Sequence, residues 1–141
     1  MAIVVGHTST SEGRAALERA VEEARLRSVP LHVVRVVQVG SSQDPNEFSA
    51  LSGELAAAEE EGRAIEKRLR AEGIDAMVLV HLASAKPPAD VLLEVAQRVD
   101  AELIVIGMRA RSRVGKFILG SVAQDVILAA DCPVLTVKVD D

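Results

Sequence analysis

Between Gly107 and Ser121 the chain reads Gly-Met-Arg-Ala-Arg-Ser-Arg-Val-Gly-Lys-Phe-Ile-Leu-Gly-Ser: four cations and no acid, in a protein of net charge −5. A concentrated positive stretch on an acidic protein points to a specific anionic ligand rather than to general attraction of polyanions. Gly120-Ser121 ends the stretch, and Val122 begins a helical pattern. The first N–H groups of a helix have no intrahelical partner, and the helix dipole favours negative charge there. Gly120 lets backbone approach a ligand closely, and the Ser121 hydroxyl can donate to a phosphate oxygen. A plainer reading stands beside this one. Ser121 with Gln124 has capping-box spacing, Gly120 serves equally as a turn residue, and loop cations are usually solvated.

The other chemically capable residues are sparse. His7, His32 and His81 lack the spacing of a metal-binding helix motif. His7 has no acid adjacent in sequence and reads as a core or pocket-rim residue; His32 and His81 read as hydrogen-bonded structural residues. The one cysteine, Cys132, precedes Pro133 and excludes both an internal disulfide and a cysteine metal cluster. It reads as a small apolar residue. Gly115-Lys116 is followed by Phe117, so there is no Walker A loop. GxGxxG, GxSxG and CxxC are also absent. A receiver domain would need acids after its first and third strands, where this chain has Thr8-Ser9 and His81. No acid/base pair or nucleophile emerges.

Positioning these residues requires elements, and the chain supplies strands and helices in alternation. Strands are expected at Ile3–Val5, Leu31–Val39, Ala76–Val80, Leu103–Ile106 and Val134–Val139, from β-branched and apolar runs. Between them come four helical patterns. The first, capped by Ser9 with Glu12, carries Leu17, Ala20, Val21 and Ala24. The second starts at Glu54 after a turn-rich loop from Gly40 to Gly53, and stops at Glu72-Gly73. The third opens at Pro87-Pro88 and carries Val91, Leu92, Val95, Ala96 and Val99. The last carries Val122, Val126 and Ala129. Strict alternation predicts an α/β fold, mostly or wholly parallel, with helices on both faces. Ligands in such sheets bind beyond the carboxyl ends of the strands. Val134 to Val139 alternates in a way that suits an edge strand, exposed on one face or paired with a second subunit.

The 141 residues are one domain's length, with 49% hydrophobic and 26% charged residues, the composition of a globular chain. One domain, residues 1–141, is expected. Aromatic residues are 1%, Phe48 and Phe117 alone, too few for stacking on single-stranded nucleic acid. The negative charge opposes DNA, RNA and anionic membrane binding. No signal-peptide pattern opens the chain, and no apolar run approaches the roughly 18 residues of a membrane span. A cytoplasmic protein is expected.

Taken together, these residues resemble the universal stress protein family over nearly the whole chain. The resemblance runs from Ile3-Val4-Val5-Gly6 and Ala15-Ala16-Leu17, through Leu31-His32-Val33-Val34 and Leu103-Ile104-Val105-Ile106-Gly107. It ends in Gly120-Ser121-Val122-Ala123 and Asp131-Cys132-Pro133-Val134-Leu135. It implies a doubly wound, five-stranded parallel sheet of order 3-2-1-4-5, and a homodimer joined through the fifth strand, Val134 to Val139. ATP-binding members carry glycine, two residues, glycine, nine residues, glycine, then Ser or Thr. Gly107 matches the first glycine, Ala110 replaces the second, and Gly120-Ser121 completes the pattern. By resemblance, Gly107 and Arg109 border the ribose and phosphates, Gly120, Ser121 and Val122 hold the phosphates, and Val36 lies at the adenine. His7 and Thr8 follow the first strand, with Thr8 aligned where ATP-binding members have Asp.

The resemblance therefore implies a stress-response regulatory module that binds ATP or a related adenine nucleotide, with or without magnesium, and signals to an unidentified protein partner. Hydrolysis should be slow or absent, since no base or metal-binding carboxylate accompanies the phosphate loop. The alternatives are a dimeric interaction protein that binds no nucleotide, and an enzyme that uses ATP to activate a substrate.

Overall fold

A computed structural model describes residues 1–39, 45–109 and 119–139. Five strands alternate with four helices: β1 Ala2–Gly6, α1 Ser11–Arg27, β2 Leu31–Gln38, α2 Pro45–Ala71, β3 Ala76–Ala83, α3 Pro88–Arg98, β4 Ala101–Arg109, α4 Ser121–Ala129 and β5 Val134–Val139. The strands form one sheet of order β3-β2-β1-β4-β5, and every pairing is parallel. The expected fold class and strand order are both observed.

Strand alternation divides the core into two layers. Ile3, Val5, Leu31, Val33, Leu103 and Val105 pack beneath α1, with Leu69 of α2. Val4, Val34, Ile104 and Ile106 face the opposite side, under α3 and α4. The central β1 is closed on both faces: Ile3, Val4 and Val5 have no exposed surface. That is why its sequence is a continuous apolar run rather than an alternating one.

Several local expectations need correction. Helix α2 begins at Pro45, not Glu54, so residues 45–53 are helical; residues 40–44 lie outside the described set. Proline suits the first helical turn, where its missing N–H costs nothing, and Glu47 favours the dipole. The Ala-, Leu- and Glu-rich sequence after it propagates the helix through Gly53. Thr10, not Ser9, caps α1, its side chain accepting from the Gly13 N–H at 3.2 Å. The buried residues of α4 are Ala123 and Val126, while Ala129 is exposed. In β5, Leu135 and Val137 pack toward α1 and Val134 toward α3 and α4, so both faces of this edge strand are half-buried. The expected stop of α2 does occur, with Gly73 in the left-handed region at φ 85°.

Candidate functional site

The chain leaves β1 toward β2 on one side and, later, fills the other side with β4. Beyond the carboxyl ends of these strands the two connections diverge and leave a crevice. A cavity of about 290 Å³ occupies it. Gly6, His7 and Thr8 form its floor, Glu12 and Gly13 come from the start of α1, and Val34, Val36 and Gln38 come from β2. Pro88 and Leu92 of α3, Ile106 and Gly107 of β4, and Val122 and Ala123 of α4 complete the lining.

Five of the residues singled out in the sequence thus meet in one cavity: His7, Thr8, Val36, Gly107 and Val122. Gly120 and Ser121 stand immediately before Val122, at the start of α4. Gly120 is the N-cap, with φ −69° and ψ 163°, and makes no side-chain capping bond. The capping-box reading of Ser121 with Gln124 is therefore wrong: Ser121 is already the first helical residue. Ala110, Arg111, Arg113 and Lys116 lie outside the described residues.

Arg109 ends β4. It lies on the α1 side of the sheet end, its guanidinium 3.4 Å from the Glu12 carboxylate and donating to the Ser11 hydroxyl at 3.4 Å. The Glu12 carboxylate is held below its ordinary range, first by its own backbone N–H and further by the Arg109 charge, against an opposing effect of burial. Glu12 is thus an anion on the cavity wall that the sequence did not reveal.

His7 is buried and lines the cavity, in keeping with its reading as a core or pocket-rim residue, and its acidic partner is distant in sequence. Helix α2 brings Glu61 to it: Nε2 lies 3.1 Å from Glu61 Oε1, and Nδ1 lies 3.4 Å from the Gly13 carbonyl. Carbonyl and carboxylate oxygens only accept, whereas a neutral imidazole has one N–H. Ser9 donates to the other Glu61 oxygen at 3.2 Å. The His7 hydrogen bond is the main cause holding the Glu61 carboxyl below its ordinary range. No short-range signal could have found this partner, which lies fifty-four residues away.

The glycines explain how α1 reaches the cavity. A Cβ at Gly107 would collide with the backbone carbonyl of Glu12, and one at Gly13 with Thr8 backbone and side chain. Both are required by packing. Gly13 was legible in principle, since glycine in a first helical turn costs about 1 kcal/mol against alanine and needs a reason.

A larger cavity, about 400 Å³, runs along the α3–α4 groove and is bordered by Asp90, Glu94, Asp100 and Asp131. Carboxylates on its rim oppose an anion, so the smaller cavity at the strand carboxyl ends is the better site for one. Among the described residues, no cluster of three or more His, Cys, Asp or Glu could hold a metal. No helix there is long and apolar enough to cross a membrane.

Known proteins share this arrangement. A universal stress protein from Mycolicibacterium smegmatis is 39% identical over 136 residues, 96% of each chain. Other curated relatives are longer, and the chain spans about half their length. The solved universal stress protein from Archaeoglobus fulgidus superposes with a TM-score of 0.72 at 37% identity, covering 98% of both chains. An Archaeoglobus fulgidus universal stress protein in complex with dAMP gives 0.68 at 32% identity and the same coverage. The sequence model of the universal stress protein family matches residues 1–138. The strand order, the crevice between β1 and its neighbours and the glycine-led start of α4 therefore have one source: this chain belongs to the universal stress protein family.

Proposed function

We propose that the chain is a regulatory module that binds ATP or a related adenine nucleotide with little or no hydrolysis. The observation that carries this reading is the division of the cavity. Its β2 and α3 side is apolar, with Val34, Val36, Leu92 and Ile106, and suits a flat base. Its α4 side leads to the first backbone N–H groups of that helix, at Gly120, Ser121 and Val122, which suit phosphate. A relative crystallised with dAMP supports the same ligand class. Gly107 is then a packing residue beside the ligand, Thr8 and His7 lie beneath it, and Arg109 stands on the α1 side of the rim.

A magnesium ion accompanying a triphosphate would be held largely by phosphate oxygens and water, with Glu12 the carboxylate available from the cavity lining. It would neutralise phosphate charge. His7 is buried and its partner Glu61 is partly exposed; the pair serves the fold rather than a reaction, so we assign no catalytic residue. The protein works in the cytoplasm, as a homodimer through Val134 to Val139, and passes its nucleotide state to a protein partner. An apolar edge strand otherwise invites uncontrolled pairing, and a two-fold interface makes it self-complementary.

Mass spectrometry of small molecules released from freshly purified protein, followed by calorimetry with ATP, ADP, AMP and cyclic AMP, tests the ligand. An adenine nucleotide is expected in the first measurement and saturable binding in the second. No binding of any of the four would hand the chain to the interaction-protein reading. Sedimentation equilibrium tests the dimer, and monomer alone at micromolar concentration rejects it.

A further inference from the structure

We propose that Gln38 reads the base, selecting adenine over guanine by a paired hydrogen bond to N6–H and N7; this rests on the nucleotide reading of the cavity. Val34, Val36 and Gln38 alternate along β2, so all three side chains leave the same face of the sheet. The register supports that direction: Gln38 is paired with Ala83, which is buried in the core layer under α3. Val34 is buried, Val36 half-buried and Gln38 exposed, so the wall runs from apolar depth to a polar lip. Pro88 borders the same cavity from α3.

A base entering this slot with its phosphates toward α4 meets hydrocarbon on its faces. Gln38 is the amide side chain in the lining, and it offers one N–H donor set beside one C=O acceptor. Adenine presents the complement, an N6–H donor next to the N7 acceptor; guanine presents two acceptors there, O6 and N7. A glutamine at this lip satisfies adenine at both atoms and leaves its carbonyl oxygen facing the guanine O6. Discrimination then arises from an unmet polar group as much as from a gained bond.

The test is calorimetry with ATP, 7-deaza-ATP and GTP on wild type, Gln38→Leu and Gln38→Arg. Wild type should bind 7-deaza-ATP, which lacks the N7 acceptor, about tenfold more weakly than ATP. Gln38→Leu should bind ATP about tenfold more weakly than wild type and no longer separate it from 7-deaza-ATP. Gln38→Arg, with two donors, should move the preference toward GTP. Equal wild-type affinity for ATP and 7-deaza-ATP overturns the proposal without help from any variant, and so does a difference that survives in Gln38→Leu. In both cases ATP still binds and the nucleotide reading stands; failure of ATP to bind wild type overturns both.

Discussion

Two walls of the same cavity both rely on glycine, for different physical reasons. On the α1 side, Gly107 and Gly13 are where backbone meets backbone, and a methyl group at either would strike Thr8 or Glu12 main chain. On the α4 side, no described atom lies within 4 Å of where a Gly120 Cβ would stand. Gly120 also has φ −69°, a conformation open to any residue. Among the described residues, packing requires the first two glycines and not the third. A glycine that neither strain nor packing requires is best explained by something that approaches it from outside, and that is where the proposed phosphate lies.

The largest effect should come from the packed wall. Gly107→Ala forces a methyl group against the Glu12 carbonyl, neither partner being a flexible side chain, and should cost about 3 kcal/mol by overpacking. Denaturant unfolding measures it; a loss below about 1 kcal/mol would mean that α1 can shift away freely. Gly120→Val should behave in the opposite way. Its stability should fall by only about 1 kcal/mol, the loss of a favoured N-cap residue, while ATP affinity falls at least tenfold, through crowding of charge-assisted bonds worth roughly 1.5–3 kcal/mol each. Unfolding and calorimetry on the two variants together test the contrast. If Gly120→Val unfolds the protein, or leaves tight binding untouched, the two walls are not different in kind and the phosphate sits elsewhere.

That contrast also marks what the sequence could tell. The alternating elements and the crevice were legible because apolar runs recur at regular spacing, whereas the sheet order was implied by the resemblance to one family over nearly the whole chain. His7, Thr8, Val36, Gly107 and Val122 all line that crevice. What escaped was set by tertiary contact. Glu61 reaches His7 from another helix, and Glu12 pairs with Arg109 across ninety-seven positions. Neither leaves a local pattern. The start of α2 was missed for another reason: Asp44-Pro45-Asn46 reads as a turn, and Pro45 and Asn46 open a helix.

A smaller effect is expected at Arg109. Its guanidinium is bound to Glu12 and Ser11 on the α1 side, and its side chain is 43% exposed. A phosphate must compete with that carboxylate for it. Arg109→Ala should therefore weaken ATP binding only about fivefold, the range of an exposed charge pair. The deficit should shrink as salt is added, since screening already weakens the wild-type contact. Calorimetry at two salt concentrations decides it. A hundredfold loss would show that Arg109 leaves Glu12 and becomes a main phosphate ligand, moving the anion toward the α1 wall.

The smallest effect concerns acid, and it probes the α1 wall from below. Glu61 is held below its ordinary carboxyl pKa of 4.5, chiefly by the His7 hydrogen bond. A carboxyl with a depressed folded-state pKa adds stability that is present above its unfolded pKa and is lost as pH falls through the folded one. The sign is thus fixed: acidification below about pH 4.5 should remove the contribution, and raising the pH from there to neutrality should leave it intact. With the Glu61 side chain 40% exposed, solvent screening limits the contribution to below about 1 kcal/mol. Glu61→Gln removes the titration while keeping an oxygen that can accept from His7 Nε2–H. Its stability should fall less steeply than wild type between about pH 5 and pH 3, with a small deficit at neutrality. Parallel denaturant curves across that range provide the measurement. If wild type and Glu61→Gln lose stability in parallel, the pair does not hold α2 to the floor of the cavity, and His7 is fixed by the Gly13 carbonyl and its burial alone.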